Sequence, residues 1–177
     1  MQKAKWYGMS DNELPTVKFG VNLDAFNQVR AAAQALADAG MPEALAEFDR
    51  EFQQAQRLSR QFVLQAGAKE VDAAQKLESS LVGHSKSRYV PTGTLQGSIK
   101  PEVSPDGLSV SVAPHATTAQ VKQARGGKAD GKVTPYGPFV EFGTYKMAPE
   151  PFMKPSGERV ANELKGDFEN TVRRAIE

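Results

Sequence analysis

The sequence predicts an α+β fold, a small antiparallel sheet packed against a long amphipathic helix and a C-terminal helix. Three observations carry that expectation. Apolar and polar residues alternate at 17–22, 99–104 and 108–113; an apolar stripe runs from Pro42 to about Val82 in steps of three and four; and Val160, Leu164, Phe168, Val172 and Ile176 recur at every fourth position. A chain of 177 residues suffices for one domain with a proper core plus an appendage. The expected division is an N-terminal arm over 1–16 and a single domain over 17–177.

Val17, Phe19 and Val21 alternate with Lys18, Gly20 and Asn22, the signature of a half-buried strand. A helix should follow, capped by Asn22 or Asp24, with Phe26, Val29, Ala33 and Leu36 on its buried side and Gly40 and Pro42 ending it. The next helical segment, 42–82, places Leu45, Phe48, Phe52, Ala55, Ser59, Phe62 and Ala66, then Ala73, Leu77 and Leu81, on one stripe. Unbroken, it would reach roughly 60 Å at ~1.5 Å per residue, more than one side of a small domain can cover. Gly67 is the expected point of bending, because a helical glycine costs about 1 kcal/mol relative to alanine. Ser59 and the irregularity near Lys69 interrupt any heptad pattern, so packing on its own sheet or on a neighbouring subunit is expected rather than a coiled coil.

Ile99, Pro101 and Val103, then Leu108, Val110 and Val112, flank Ser104-Pro105-Asp106-Gly107, with proline and glycine where a tight turn wants them. Pro101 has no amide hydrogen, so its strand belongs at an edge or begins there. Residues 115–134 are polar, small and glycine-bearing, and read as a mobile loop. In 135–155, Pro135, Pro138, Pro149, Pro151 and Pro155 interleave with Tyr136, Phe139, Phe142, Tyr145 and Phe152. Prolines fix backbone shape and rings supply packing area, so this is a rigid, anchored connector. Pro138 opens a helical turn that Gly143 ends, Phe139 and Phe142 project together, Met147 to Pro151 forms a stiff strap, and Phe152 precedes the last helix.

Composition narrows the chemistry. There is no cysteine, which removes disulfides, thiolate catalysis and cysteine metal sites together. No apolar run approaches a membrane span, and the first twenty residues, with Lys3, Lys5, Asp11, Glu13 and Lys18, show no secretory signal, so a soluble chain without a membrane partner is expected. The net charge of +1 gives no global attraction to nucleic acid, but charge is unevenly placed. Lys86, Arg88 and Lys100 lie in a stretch without acids, and Lys122, Arg125, Lys128 and Lys132 face only Asp130. These last four are the candidate contacts to DNA or to a neighbouring ring. His84 and His115 have no carboxylate at metal-ligand spacing and no catalytic motif is present, so the expectation is no enzyme, no cofactor and no metal. Glu141, between Val140 and Phe142, could be a general acid if buried. Without a recognisable partner it reads instead as structural, facing solvent or paired with a nearby cation.

The run Tyr89-Val90-Pro91-Thr92-Gly93-Thr94-Leu95, followed by Ser98-Ile99, a hairpin, Tyr136 to Thr144, Met147-Ala148-Pro149 and Pro151-Phe152-Met153 to Pro155, resembles the tail-completion, or head-to-tail joining, proteins of long-tailed bacteriophages. The resemblance implies a non-enzymatic structural protein of the virion neck, made in the host cytoplasm. It would form a homo-oligomeric, six-membered ring around the DNA channel, between the tail terminator ring and the head-closure (stopper) ring. Tyr136, Phe139, Glu141, Phe142, Tyr145, Met147 and Phe152 are then the expected subunit or partner contacts. The alternatives are a nucleic-acid-binding module using the basic loops, a tail terminator or minor tail component, and, last, a hydrolase centred on Glu141.

Overall fold

The computed structural model describes residues 5–7, 14–82, 91–128, 131 and 133–176, the side chains of 5–7, 25 and 168–176 excepted. In chain order the elements are β1 (Lys5–Tyr7), β2 (Thr16–Gly20), α1 (Asp24–Asp38), α2 (Pro42–Leu81), α3 (Thr94–Gly97), β3 (Ile99–Val103), β4 (Ser109–Pro114), α4 (Thr118–Ala124), α5 (Gly137–Phe142) and α6 (Met153–Ile176). The fold is α+β, with an antiparallel sheet ordered β1-β2-β4-β3, the long helix α2 and the C-terminal helix α6.

Alternation decides which face of the sheet is covered. Val17 lies opposite Val112 and Phe19 opposite Val110, and all four are buried, whereas Lys18 and Ser111 pair on the opposite face. The hairpin turn falls where its residues require: the Gly107 N–H donates to the Ser104 carbonyl at 2.8 Å, and Gly107 has φ +73°. Pro101 sits in β3, the outermost strand beside β4, where its missing N–H leaves no gap in an interior ladder.

Helix α2 runs unbroken through Gly67, contrary to the expected bend. A Cβ at Gly67 would lie 2.9 Å from Val110 Cγ2, so the glycine is where the helix meets the sheet most closely. Its propensity cost is offset by packing that a side chain would block. The buried residues also differ from the predicted stripe. Val63, Ala66, Gly67, Glu70, Ala74 and Glu78 face inward, Ala73 and Leu77 lie at the margin, and Leu81 is exposed. Two glutamates on the inner face account for the irregularity near Lys69.

The first half of α2 pairs with α1. Phe26, Phe48 and Phe52 form a cluster with ring centroids 5.4 to 6.5 Å apart. Ala33 is buried, but Val29 and Leu36 of the predicted stripe are exposed. Asn22 stands just ahead of α1, its Oδ1 accepting the Asp24 N–H at 2.7 Å. Arg60 Nε donates to the Asp106 carbonyl at 3.1 Å, fixing α2 on the β3–β4 turn. From there the helix continues back to Pro42, roughly 27 Å at ~1.5 Å per residue, as an antiparallel hairpin with α1.

Two expected irregular segments hold structure. The arm over 1–16 supplies β1, paired with β2. The segment 115–134, expected as a mobile loop, contains α4, opened by a reciprocal capping box: Gln120 N–H donates to Thr117 Oγ1, and Thr117 N–H donates to Gln120 Oε1. Ala116 and Val121 anchor it in the core. In α6, Val160 and Leu164 are buried as the period predicts, and Gly157 lies against Val17, whose methyls would stand 2.9 Å from an added Cβ. The side chains of Phe168, Val172 and Ile176 lie outside the described residues.

Two helical glycines should respond oppositely to alanine. Gly67→Ala overpacks against the stiff Val110 side chain and should lower unfolding free energy by about 1–2 kcal/mol. Gly166→Ala, with no atom within 4 Å of its Cβ, should raise it by up to about 1 kcal/mol. Urea denaturation of both variants checks the signs.

Candidate functional site

The proline- and aromatic-rich segment forms a locked turn at the Pro114 end of the sheet. The Tyr136 N–H donates to the Ala116 carbonyl at 2.7 Å, and Gly137 packs on the Pro114 ring so closely that a Cβ would fall 2.5 Å from Pro114 Cγ. Gly137 opens α5 with Pro138 second, one place later than expected, and Gly143, at φ +75°, ends it, as predicted. Only glycine suits that position, since a Cβ would also lie 2.7 Å from the Pro149 nitrogen. Thr144 and Met147 then close a tight turn by exchanging backbone hydrogen bonds, and the Glu150 N–H donates to the Val140 carbonyl at 2.8 Å.

The centre of this arrangement is Glu141, only 3% exposed. Its Oε2 accepts the N–H groups of Phe152 (2.8 Å) and Met153 (3.0 Å), and its Oε1 accepts that of Lys154 (2.9 Å). These donors stand at the start of α6, where helical geometry leaves N–H groups without intrahelical acceptors and the dipole favours negative charge. Glu141 is therefore the remote cap of α6. The expectations of a solvent-facing or cation-paired carboxylate give way to this role.

The predicted contact residues divide. Glu141 and Phe152 are buried within the chain, so their side chains are not available to a partner, which corrects that part of the expectation. Phe139 and Phe142 do not anchor α5 together: Gly137, Pro138, Val140 and Glu141 are its buried residues, and Phe142 is 51% exposed. Tyr136 and Phe139 are partly buried and meet edge to face, with centroids 6.3 Å apart, and Met147 packs at the edge of the core. Tyr145, 93% exposed at the tip of the turn, has Lys146 Nζ 5.0 Å from its ring centre. Phe142 and Tyr145 are thus the apolar surface that this rigid turn offers.

Of the basic candidates, Lys122 and Arg125 lie on α4 and at its end, with Lys128 just beyond, all exposed. Lys132, His84, Lys86 and Arg88 lie outside the described residues. His115 Nε2 stands 3.8 Å from Glu102 Oε1 at the surface. Among the described residues, no cluster of histidine, aspartate and glutamate could hold a metal, and no helix is long and apolar enough to cross a membrane. An open cleft of about 420 Å³ where the hairpin leaves the sheet is lined in part by Asn22, Asp24, Phe52 and Asp106. Asn22 and Asp106 already serve there as local acceptors for Asp24 and Leu108.

One group that sequence reasoning missed is Glu70, fully buried between α2 and α6. Burial pushes its carboxyl up to about 8; a hydrogen bond from Ser156 acts the other way, and the nearby Glu141 charge adds to the rise. Ser156 Oγ lies 2.6 Å from Glu70 Oε1 and 2.9 Å from the Met153 carbonyl. A hydroxyl has a single hydrogen and cannot give a full-strength bond to both acceptors. A protonated Glu70 resolves this by donating to Ser156 Oγ while Ser156 donates to Met153. Glu78, two turns further along the same face, is also buried, and burial raises its carboxyl as well.

The Glu141 cap had a detectable signal. Glu150-Pro151-Phe152-Met153 offers no Ser, Thr, Asp or Asn at the start of α6, so an acceptor had to come from elsewhere. Compared with protein-family models, with curated proteins and with solved structures, the chain gives no match.

Glu141→Ala should cost about 2–3 kcal/mol of stability, because it strands buried N–H groups, and Glu141→Gln, with one acceptor oxygen left, should cost less. Denaturant unfolding of the two variants measures this. For Glu70 the folded chain holds a proton that the unfolded chain has released above the ordinary value of 4.5. Stability should therefore fall as pH rises from about 4.5 to about 8 and level off above, and Glu70→Gln should flatten that slope in melts taken across the range.

Proposed function

We propose that this chain is a structural protein of the bacteriophage neck, one subunit of a ring that completes the tail and joins it to the head around the DNA channel. The observation that carries the reading is the 135–155 segment. The order of motifs from Tyr89 to Pro155, of which it is the last part, bears the resemblance to tail-completion proteins, and its geometry suits a contact surface. The Glu141 carboxylate is engaged by three backbone N–H groups, which leaves it a holding role rather than a proton to transfer. The turn it secures presents Tyr145 and Phe142 outward. Aromatic side chains on a rigid backbone suit association, since they bring large contact area at little entropic cost.

In this reading the copies form a homo-oligomeric, six-membered ring by repeated heterologous contacts, which close only if the rotation between neighbours is right. The tail terminator ring and the head-closure ring are its partners in the virion, and genomic DNA passes through its channel.

Mixing the purified chain with the tail tubes of its virion tests the proposal. Electron micrographs should show an added ring at one end of the tube, and Tyr145→Ala together with Phe142→Ala should reduce the fraction of capped tubes at unchanged fold. A chain that stays monomeric and never associates with tails would sink the reading.

A further inference from the structure

The two ends of this molecule carry opposite charge. Toward the tip of the α1–α2 hairpin, Asp38, Glu43, Glu47, Asp49 and Glu51 outnumber Arg30 and Arg50. All of these acids but Asp49 are exposed, and the exposed apolar residues Leu36 and Met41 lie among them. At the other end, the accessible charges described between 115 and 148 apart from His115 are Lys122, Arg125, Lys128 and Lys146, and the acid described there, Glu141, is buried. Exposed Val133, Phe142 and Tyr145 belong to the same stretch.

Topology holds these ends apart. The hairpin leaves the sheet at the Asp106 turn, where Arg60 is fixed. α4 follows β4 at its opposite end, and α5 packs there on Pro114. Gln75 of α2 exchanges hydrogen bonds with Gln96 of α3, which packs beside α4. From Pro42 to Gln75 the continuous helix measures roughly 50 Å. Charges that far apart are screened from each other by physiological salt, whose Debye length is about 8 Å. They can meet only between molecules.

We propose that the acidic hairpin tip of one copy docks head to tail on the basic α4 face of a second copy, Leu36 and Met41 being covered in the contact. The occupant is a second copy because the chain carries both complementary surfaces, and because surfaces at opposite ends make a heterologous contact that repeats. The inference deepens the ring reading above and rests on it only in requiring that copies associate. DNA is the weaker occupant for α4: the face carries few cations, and the stacking aromatics that single-strand binders use are not interleaved with them.

The chain has no cysteine, so introduced thiols report unambiguously. The full chain carrying Glu47→Cys and Lys128→Cys is treated with a short bismaleimide at low salt, beside each single variant. The double variant should give a ladder of dimers, trimers and higher species, and neither single variant should. Adding Glu43→Lys and Glu51→Lys should cut the ladder by roughly tenfold, and further adding Lys122→Glu and Arg125→Glu should restore it. Circular dichroism and melting curves confirm that each variant is folded.

A folded double variant without a ladder overturns the proposal. So does a ladder indifferent to the charge reversals, or efficient dimers from a single variant, which mark a symmetric contact. Displacement of the ladder by a short DNA duplex assigns the basic face to nucleic acid and overturns it too. Unmodified chain that caps tail tubes while the double variant gives no ladder keeps the neck reading and loses this docking, whereas a chain that does neither loses both.

Discussion

The carboxylate of Glu141 is the constraint on which the rest of this structure depends. It takes three N–H groups at the start of α6 and so joins two helices that share no sequence-local contact. The intervening residues 143–151 become a closed loop of fixed shape. The orientation of α6 follows, because its first turn is pinned while Gly157 draws it onto Val17 of the sheet. A hydrogen bond to an ionised acceptor is about twice as strong as a neutral one, and here it acts where solvent does not compete.

That negative charge has a consequence for its neighbour. Glu70 lies close enough to Glu141 to feel it, and both are buried, so ionising both together is unfavourable. The structure divides the roles: Glu141 keeps a shell of donors suited to an anion, and Glu70 has Ser156, whose hydroxyl can accept a hydrogen bond from the protonated carboxyl while donating its own to the Met153 carbonyl. The relay ties the middle of α2 to the first turn of α6. An apolar pair would fill the same space, but it would not fix the rotation of one helix against the other as a directional bond does. Glu78, without a hydrogen bond to its buried Oε1, extends the same polar seam along the inner face of α2.

What was legible in the sequence is what short-range chemistry dictates. Pro101 at an edge, Pro138 and Gly143 around one helical turn, and the 104–107 turn all follow from residues read within a few positions of each other. Valine alternation marked β2 and β4 as strands and showed which of their faces is covered, but not that they are neighbours. The cap was not legible as a pairing, because Glu141 acts on residues 11 to 13 positions ahead, across a turn whose path no local rule sets. The inner stripe of α2 was misread for a related reason. Glu70 and Glu78 look like solvent-facing positions until α6 supplies an environment in which a neutral carboxyl can be buried. Helix α4 is different. Thr117 and Gln120 stand at capping-box spacing, and the polar, glycine-bearing composition of 115–134 concealed a signal that was present.

The length of α2 is the feature that connects this core to the proposed association. Its second half suffices to cover the sheet, with Val63 to Glu78 facing inward. Its first half is held by α1 through three phenylalanines and contributes Phe48 as its buried residue. A hairpin secured by so few anchors, yet bearing exposed Val29, Leu36 and Met41, buries less apolar surface than a helical pair of its length can. Ordering those residues costs conformational entropy whether or not they are covered. The continuity of α2 across Gly67 makes the hairpin a stiff extension of the core rather than a separate appendage. A stiff arm holds its tip at a fixed distance and direction from the α4 face. In the docking proposed above, that geometry, more than any single contact, would let one subunit set the angle of the next.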